Sequence, residues 1–162
     1  MRIVVISDTH MPLRAPALPA AVADAARGAD LIVHAGDFTA KSVLDELRGL
    51  GPFVGVAGNM DPPAVRQALA EREILDIDGV RIAVAHGFGA PAPLPTALLR
   101  EFAKDKVRVI VFGHTHAPCN EEVGGVLLFN PGSPTDMRFA PYCSFGILTV
   151  QEGEARGEIV RL

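Results

Sequence analysis

The chain has 162 residues, enough for one compact domain with its own core and too few for two ordinary ones. Nineteen acidic against fifteen basic side chains leave a net charge of −4, which argues against the basic surface that backbone-driven nucleic-acid binding requires. Hydrophobic residues at 49% and charged residues at 21% exclude disorder. No apolar run approaches the roughly 18 residues of a membrane-spanning helix.

In chain order, Arg2 to Ser7 is a β-branched apolar run that predicts a strand buried on both faces, and Leu31 to Ala35 reads the same way. Between them Pro16 to Gly28 predicts a helix, with proline near its start and glycine past its end. A helix over Ser42 to Leu50, a strand over Phe53 to Ala57 and a helix over Pro62 to Glu71 follow. The pattern then changes, because Ile74 to Ile77 and Val80 to Ala85 are joined by Asp78-Gly79, a strong hairpin signal. A helix over Pro95 to Lys104 and a strand over Val107 to Phe112 come next. Strand-like runs at Glu121 to Val123, Val126 to Phe129, Phe145 to Val150 and Glu158 to Leu162 end the chain. The expected class is α/β passing into antiparallel β within one domain spanning 1–162. The N-terminus predicts no export leader, and Cys119 and Cys143 are expected to be reduced thiols in a cytoplasmic protein.

The chemistry lies at the strand ends. Asp8-Thr9-His10 follows the first strand, Gly36-Asp37 the second, Gly58-Asn59 the third, His86-Gly87 the hairpin, and Gly113-His114-Thr115-His116 the fifth. In α/β sheets, C-terminal strand ends are where ligands bind, and each group lies about one β-α unit beyond the last. Any one of these residues alone reads equally well as a turn or cap residue. Four of the five histidines, however, fall in these positions. Two Asp, one Asn and four His offer oxygen and imidazole donors without thiolate, a set suited to divalent Mn, Fe, Zn or Ni. Seven donors exceed one tetrahedral ion and suit two ions sharing a carboxylate, the arrangement that clamps phosphoryl displacement.

Asp-x-His, Gly-Asp, Gly-Asn, His and Gly-His-x-His, in that order from Asp8 to His116, resemble the calcineurin-like metallophosphoesterases. Asn130-Pro131-Gly132-Ser133 with Pro134 is similar to the tail of the small bacterial and archaeal phosphodiesterase branch. The resemblance implies two packed mixed β-sheets flanked by helices in four layers. It implies a dimetal centre in which Asp8, His10 and His116 hold the first ion, Asn59, His86 and His114 the second, and Asp37 bridges the two. Asp37, Asn59 and His86 would then stand beside the reacting phosphorus. The implied activity is hydrolysis of a small phosphodiester by a hydroxide held between two divalent ions per chain, Mn first, with Ni, Fe and Zn as alternatives. Two other readings stay open: a phosphomonoesterase or nucleotide hydrolase on the same centre, and a non-catalytic scaffold like the retromer subunit of this fold. No membrane partner is expected, and a homo-oligomer is compatible with the sequence.

The chain departs from many such relatives at one position, where Met60 replaces a histidine thought to protonate the leaving group. A thioether donates no proton, which favours aryl diesters over alkyl monoesters. Asp61 is read as a cap on the helix at Pro62, with proton donor as the alternative. His34 is expected to orient a ligand, Asn130 to Pro134 to lie at the rim of the site, and Arg138 to be solvated.

Overall fold

Ten strands and four helices make up the computed structural model, which describes residues Met1–Leu162. The first sheet has the order β10-β9-β1-β2-β3. Here β1 is Arg2–Ile6, β2 Leu31–His34, β3 Phe53–Gly55, β9 Ser144–Gln151 and β10 Glu154–Arg161. Strands β1, β2 and β3 are parallel, and β9 and β10 add antiparallel. The second sheet has the order β4-β5-β6-β8-β7. It comprises β4 (Arg72–Ile77), β5 (Val80–Ala85), β6 (Val109–Phe112), β7 (Cys119–Val123) and β8 (Val126–Asn130). Strands β5, β6 and β8 run parallel, flanked by antiparallel β4 and β7. Helices α1 (Ala20–Arg27), α2 (Lys41–Leu50), α3 (Pro63–Arg66) and α4 (Leu94–Glu101) complete the fold.

The alternation of side chains explains why the central runs Ile3–Ile6 and Val109–Phe112 carry no polar residue. Ile3 and Val5 of β1 meet Ile82, Val84, Val109 and Val111 of the opposite sheet in the inner core. Val4 and Ile6 point the other way, onto Val22 and Ala26 of α1 and Leu44 and Leu47 of α2. The outer face of the second sheet packs Ala83, Ile110 and Phe112 on Leu94 and Leu98 of α4. A strand covered on both sides has no face left for water. The result is the four-layer sandwich that the resemblance implied; the second half of the chain is mixed and not simply antiparallel, since β5, β6 and β8 run parallel. No helix is long and apolar enough to cross a membrane.

Several boundaries move for physical reasons. Helix α1 starts at Ala20, with Pro19 in its N-cap position, so residues 16–18 lie outside it. Helix α3 is one turn, because Ala70 leaves it to bridge Val56 and the chain enters β4 at Arg72. The last strand begins at Glu154, four residues early, since Glu152 and Gly153, both at positive φ, turn it tightly back along β9. Gly157 sits inside that strand, where a Cβ would come within 2.5 Å of the Phe129 ring. The hairpin at Asp78-Gly79 forms as expected, with φ +45° and +77°.

Candidate metal centre

All seven residues singled out at strand ends converge at one edge, where the C-terminal ends of the parallel strands of both sheets meet. Asp8, His10, Asp37, His114 and His116 all have left-handed backbone, with φ between +43° and +70°. Such conformations cost non-glycine residues energy and collect at functional sites. Here backbone bonds between the loops hold them: the Asp8 amide donates to Gly36 O (3.0 Å) and the His10 amide to Asp37 O (3.1 Å). Gly36 itself is required, since it sits at φ +94° and an added Cβ would lie 2.7 Å from His86 Nδ1.

The donor atoms form two overlapping groups. In the first, His116 Nε2 stands 3.4 Å from Asp8 Oδ1 and 3.1 Å from His10 Nε2. In the second, His86 Nε2 is 3.3 Å from Asp37 Oδ2 and 3.1 Å from Asn59 Oδ1, which also lies 3.1 Å from His114 Nδ1. Asp37 Oδ2 is 3.7 Å from His10 Nε2 as well, so one carboxylate reaches both groups. Asp8, His10 and His116 present donor atoms within 4.8 Å of one another, and so do Asp8, Asp37 and His86. The two Nε2 atoms of His10 and His116 aim at each other among buried carboxylates. Neutral rings in that pose set lone pair against lone pair unless a proton or a cation lies between them. The donor set therefore fits divalent ions. Asp8, His10, Asp37, His86 and His116 are buried, Asn59 is exposed and His114 half-buried, so the site opens on the Asn59 side.

The electrostatics follow from burial against this charge. For His86, burial lowers the pKa, but the Asp37 hydrogen bond, the Asp8 and Asp37 charges and the Ala35 carbonyl at 2.7 Å raise it to about 9. Burial raises the Asp37 pKa, yet His86, the Met60 amide and His10 outweigh it and leave it below the usual carboxylate range. For His10, burial outweighs Asp37 and Asp8 and lowers the value.

Around the donors stands a layer of positioning contacts. His34 is fully buried, accepts the Gly36 amide at Nδ1 (3.2 Å), meets Thr9 Oγ1 from Nε2 (3.2 Å) and stacks on Phe38. It offers no atom to the centre and holds the backbone beside Asp8 and Asp37. Asn130 donates to Gly113 O (2.9 Å) and Ser133 Oγ to Asp8 O (2.8 Å), so the Asn130–Pro134 loop braces the site from below. Asp61 is not a helix cap, as α3 has no side-chain cap bond. Its carboxylate accepts the amides of Gly58 (2.7 Å), Thr39 (2.8 Å) and Asp37 (3.1 Å), tying the loops after β2 and β3 together. Arg138 is also not simply solvated, because its guanidinium grips Asp136 (Nη2 to Oδ2 2.7 Å).

Asp136 is the residue that sequence reasoning missed. It is buried, faces His116 Nδ1 at 3.4 Å, and burial, which raises its pKa, is outweighed by Arg138 and His116, which hold it at about 2. His116 Nδ1 is itself buried without a hydrogen-bond partner. No spacing signal marks Asp136; only its place just after the Asn130–Pro134 loop points towards the site.

Residues 1–153 match the family model described as the calcineurin-like phosphoesterase superfamily domain. A probable metallophosphoesterase of Methanocaldococcus jannaschii is 42% identical over 94% of this chain and 77% of its own length. A phosphodiesterase of the same organism is 28% identical over 82% of this chain and 83% of its own. Among solved structures, a Thermotoga maritima protein is 36% identical, with TM-score 0.78 and 99% of both chains covered. Entamoeba histolytica Vps29 complexed with Zn2+ is 28% identical, with TM-score 0.80 and 99% of both chains covered.

Proposed function

The chain belongs to the calcineurin-like phosphoesterase superfamily, and on that premise we propose that it is a phosphodiesterase working with two divalent ions in one domain of 162 residues. Asp8, His10 and His116 would hold one ion, Asn59, His86 and His114 the other, and Asp37 both. Manganese is the first ion to test, with Ni, Fe and Zn next. When bound, such ions lower the pKa of a water nucleophile and neutralise charge developing at phosphorus. The observation that carries the reading is the position of Asp37 Oδ2, 3.3 Å from His86 Nε2 and 3.7 Å from His10 Nε2. Asn59 and His114 line the open side, where a phosphoryl group enters. The two free thiols, Cys119 and Cys143, support a reducing, cytoplasmic setting.

Preference for diesters rests on Met60, which supplies no proton to a leaving alkoxide. The likeness to Vps29 favours a second reading, a scaffold of the same fold that binds proteins. One experiment separates these readings: the chelated protein is assayed on aryl phosphodiesters and monoesters after adding Mn, Ni, Zn or Mg singly. Diester hydrolysis restored by metal supports the proposal. Monoester hydrolysis alone moves the assignment to a phosphomonoesterase, and no turnover with any metal points to the scaffold.

A further inference from the structure

A cavity of about 510 Å³ opens beside the centre, with Asn59 and His86 in its lining. Its walls come from Arg66 of α3, Glu71 and Arg72 where β4 begins, Glu101 at the end of α4, and Phe88 just after β5. That volume is within the range of small-molecule sites and far exceeds what a phosphoryl group occupies.

The chemistry of the walls says what fills it. Arg66 spends Nε on Asp61 O (2.8 Å) and Nη2 on Asn59 O (2.5 Å), which leaves Nη1 free. Arg72 Nη1 stands 4.0 Å from Glu101 Oε1, too long for a hydrogen bond, and both side chains are partly exposed. Glu71 is exposed and forms no ion pair with either arginine. Two guanidinium groups against two carboxylates give no net charge to draw an anion or a cation. They give donors beside acceptors, the pairing that recognises hydroxyl groups, each of which donates to a carboxylate and accepts from a guanidinium. Phe88 lines the cavity, is 78% exposed and stands between Gly87 and Gly89 at φ +88° and +86°, so most of its ring surface is uncovered by the protein.

We infer that this cavity is a subsite for a neutral, polyhydroxylated ring, ribosyl or glycosyl, carried on one ester arm of the phosphodiester. Glu71 and Glu101 accept from its hydroxyls, Arg72 and Arg66 donate to them, and Phe88 covers a ring face. The inference rests on the phosphodiesterase reading, since Asn59 and His86 both line the cavity and are proposed metal ligands.

The test compares 4-nitrophenyl phosphodiesters whose second arm is methyl, adenosine, 2′,3′-dideoxyadenosine or the 6-position of glucose. In each, water displaces 4-nitrophenolate at phosphorus, so only the arm differs. The subsite predicts that kcat/KM for the adenosine arm exceeds the methyl and dideoxy arms at least tenfold, and that Glu101→Gln and Phe88→Ala each reduce that ratio severalfold. A glucose arm equal to adenosine identifies the sugar hydroxyls as what is read, and a weaker one assigns part of the recognition to the base on Phe88. Dideoxy and methyl arms as good as adenosine overturn the subsite. If no diester is hydrolysed with any metal, the phosphodiesterase reading fails separately, and calorimetry with adenosine 5′-phosphate decides the subsite. Binding at least tenfold tighter than 2′,3′-dideoxyadenosine 5′-phosphate, and weakened by Glu101→Gln, keeps it; equal binding of the two overturns it.

Discussion

The Asp136 carboxylate faces Nδ1 of His116 at 3.4 Å, on the far side of the ring from the Nε2 atom that meets His10 and Asp8. Arg138 and Arg14 hold the carboxylate from its solvent side. A carboxylate behind an imidazole keeps the proton on Nδ1 and frees the Nε2 lone pair for a metal. Asp136→Asn should therefore weaken metal binding by about 10- to 100-fold while the fold persists. Competition against a chromogenic chelator measures this, and unchanged affinity would remove Asp136 from the site.

Asp61→Ala leaves three amides, those of Gly58, Thr39 and Asp37, without their acceptor in a buried position. Each unsatisfied amide costs on the order of 1–3 kcal/mol, with relaxation recovering part, so we expect a loss of about 3 kcal/mol in denaturant unfolding of the metal-free protein. An acid that only donates a proton to the leaving group would lower turnover without this loss of stability.

Met60 is 56% exposed at the open side, while its amide donates to Asp37 Oδ1 at 2.7 Å. A side chain can thus change there without removing a backbone contact of the centre. Met60→His places a proton donor at that opening, and the rate on alkyl monoesters, whose leaving alkoxides need a proton, should rise by about tenfold or more. Equal monoesterase rates in the variant and the parent would show that the missing acid is not what limits monoesters.

His34 adds a pH dependence of stability independent of catalysis. Burial lowers its pKa from an ordinary 6.5 to about 3. The folded state keeps the ring neutral while the unfolded chain takes up a proton, so the unfolded state binds more protons between those values. Stability present above about pH 6.5 is lost as pH falls towards 3, with a contribution approaching 1.4 kcal/mol per pH unit. In chelator, His34→Gln should be less stable at neutral pH yet lose stability more gently between pH 6 and 4. An identical slope in both proteins would contradict a neutral buried His34.

The sequence made the strands and their ends legible because strands buried on both faces are written as unbroken apolar runs, and ligand-bearing turns as Asp, His or Gly-Asp at their ends. Hence Ile3–Ile6, Ile32–Val33 and Val109–Phe112 led directly to Asp8, Asp37 and His114. The helix starts at Ala20 and Pro63 were less legible, because proline marks an entry without fixing its turn. Asp61 read as a cap since Asp before Pro-Pro fits that role locally; its three amide partners come from loops distant in the chain, apart from Gly58. Asp136 and the Glu71–Glu101 cavity wall were invisible for the same reason. Their meaning lies in neighbours 20 or more residues away, His116 for Asp136 and Arg72 for Glu101, which no local pattern records.

Metal stoichiometry decides whether the centre holds two ions. The chelated protein is saturated with Mn2+, freed of excess ion by dialysis, and analysed for metal per chain alongside Asp37→Asn. We predict two ions per chain in the parent and fewer than two in the variant, where the charge reaching both His10 and His86 is gone. At most one ion per chain in the saturated parent would contradict the two-ion account.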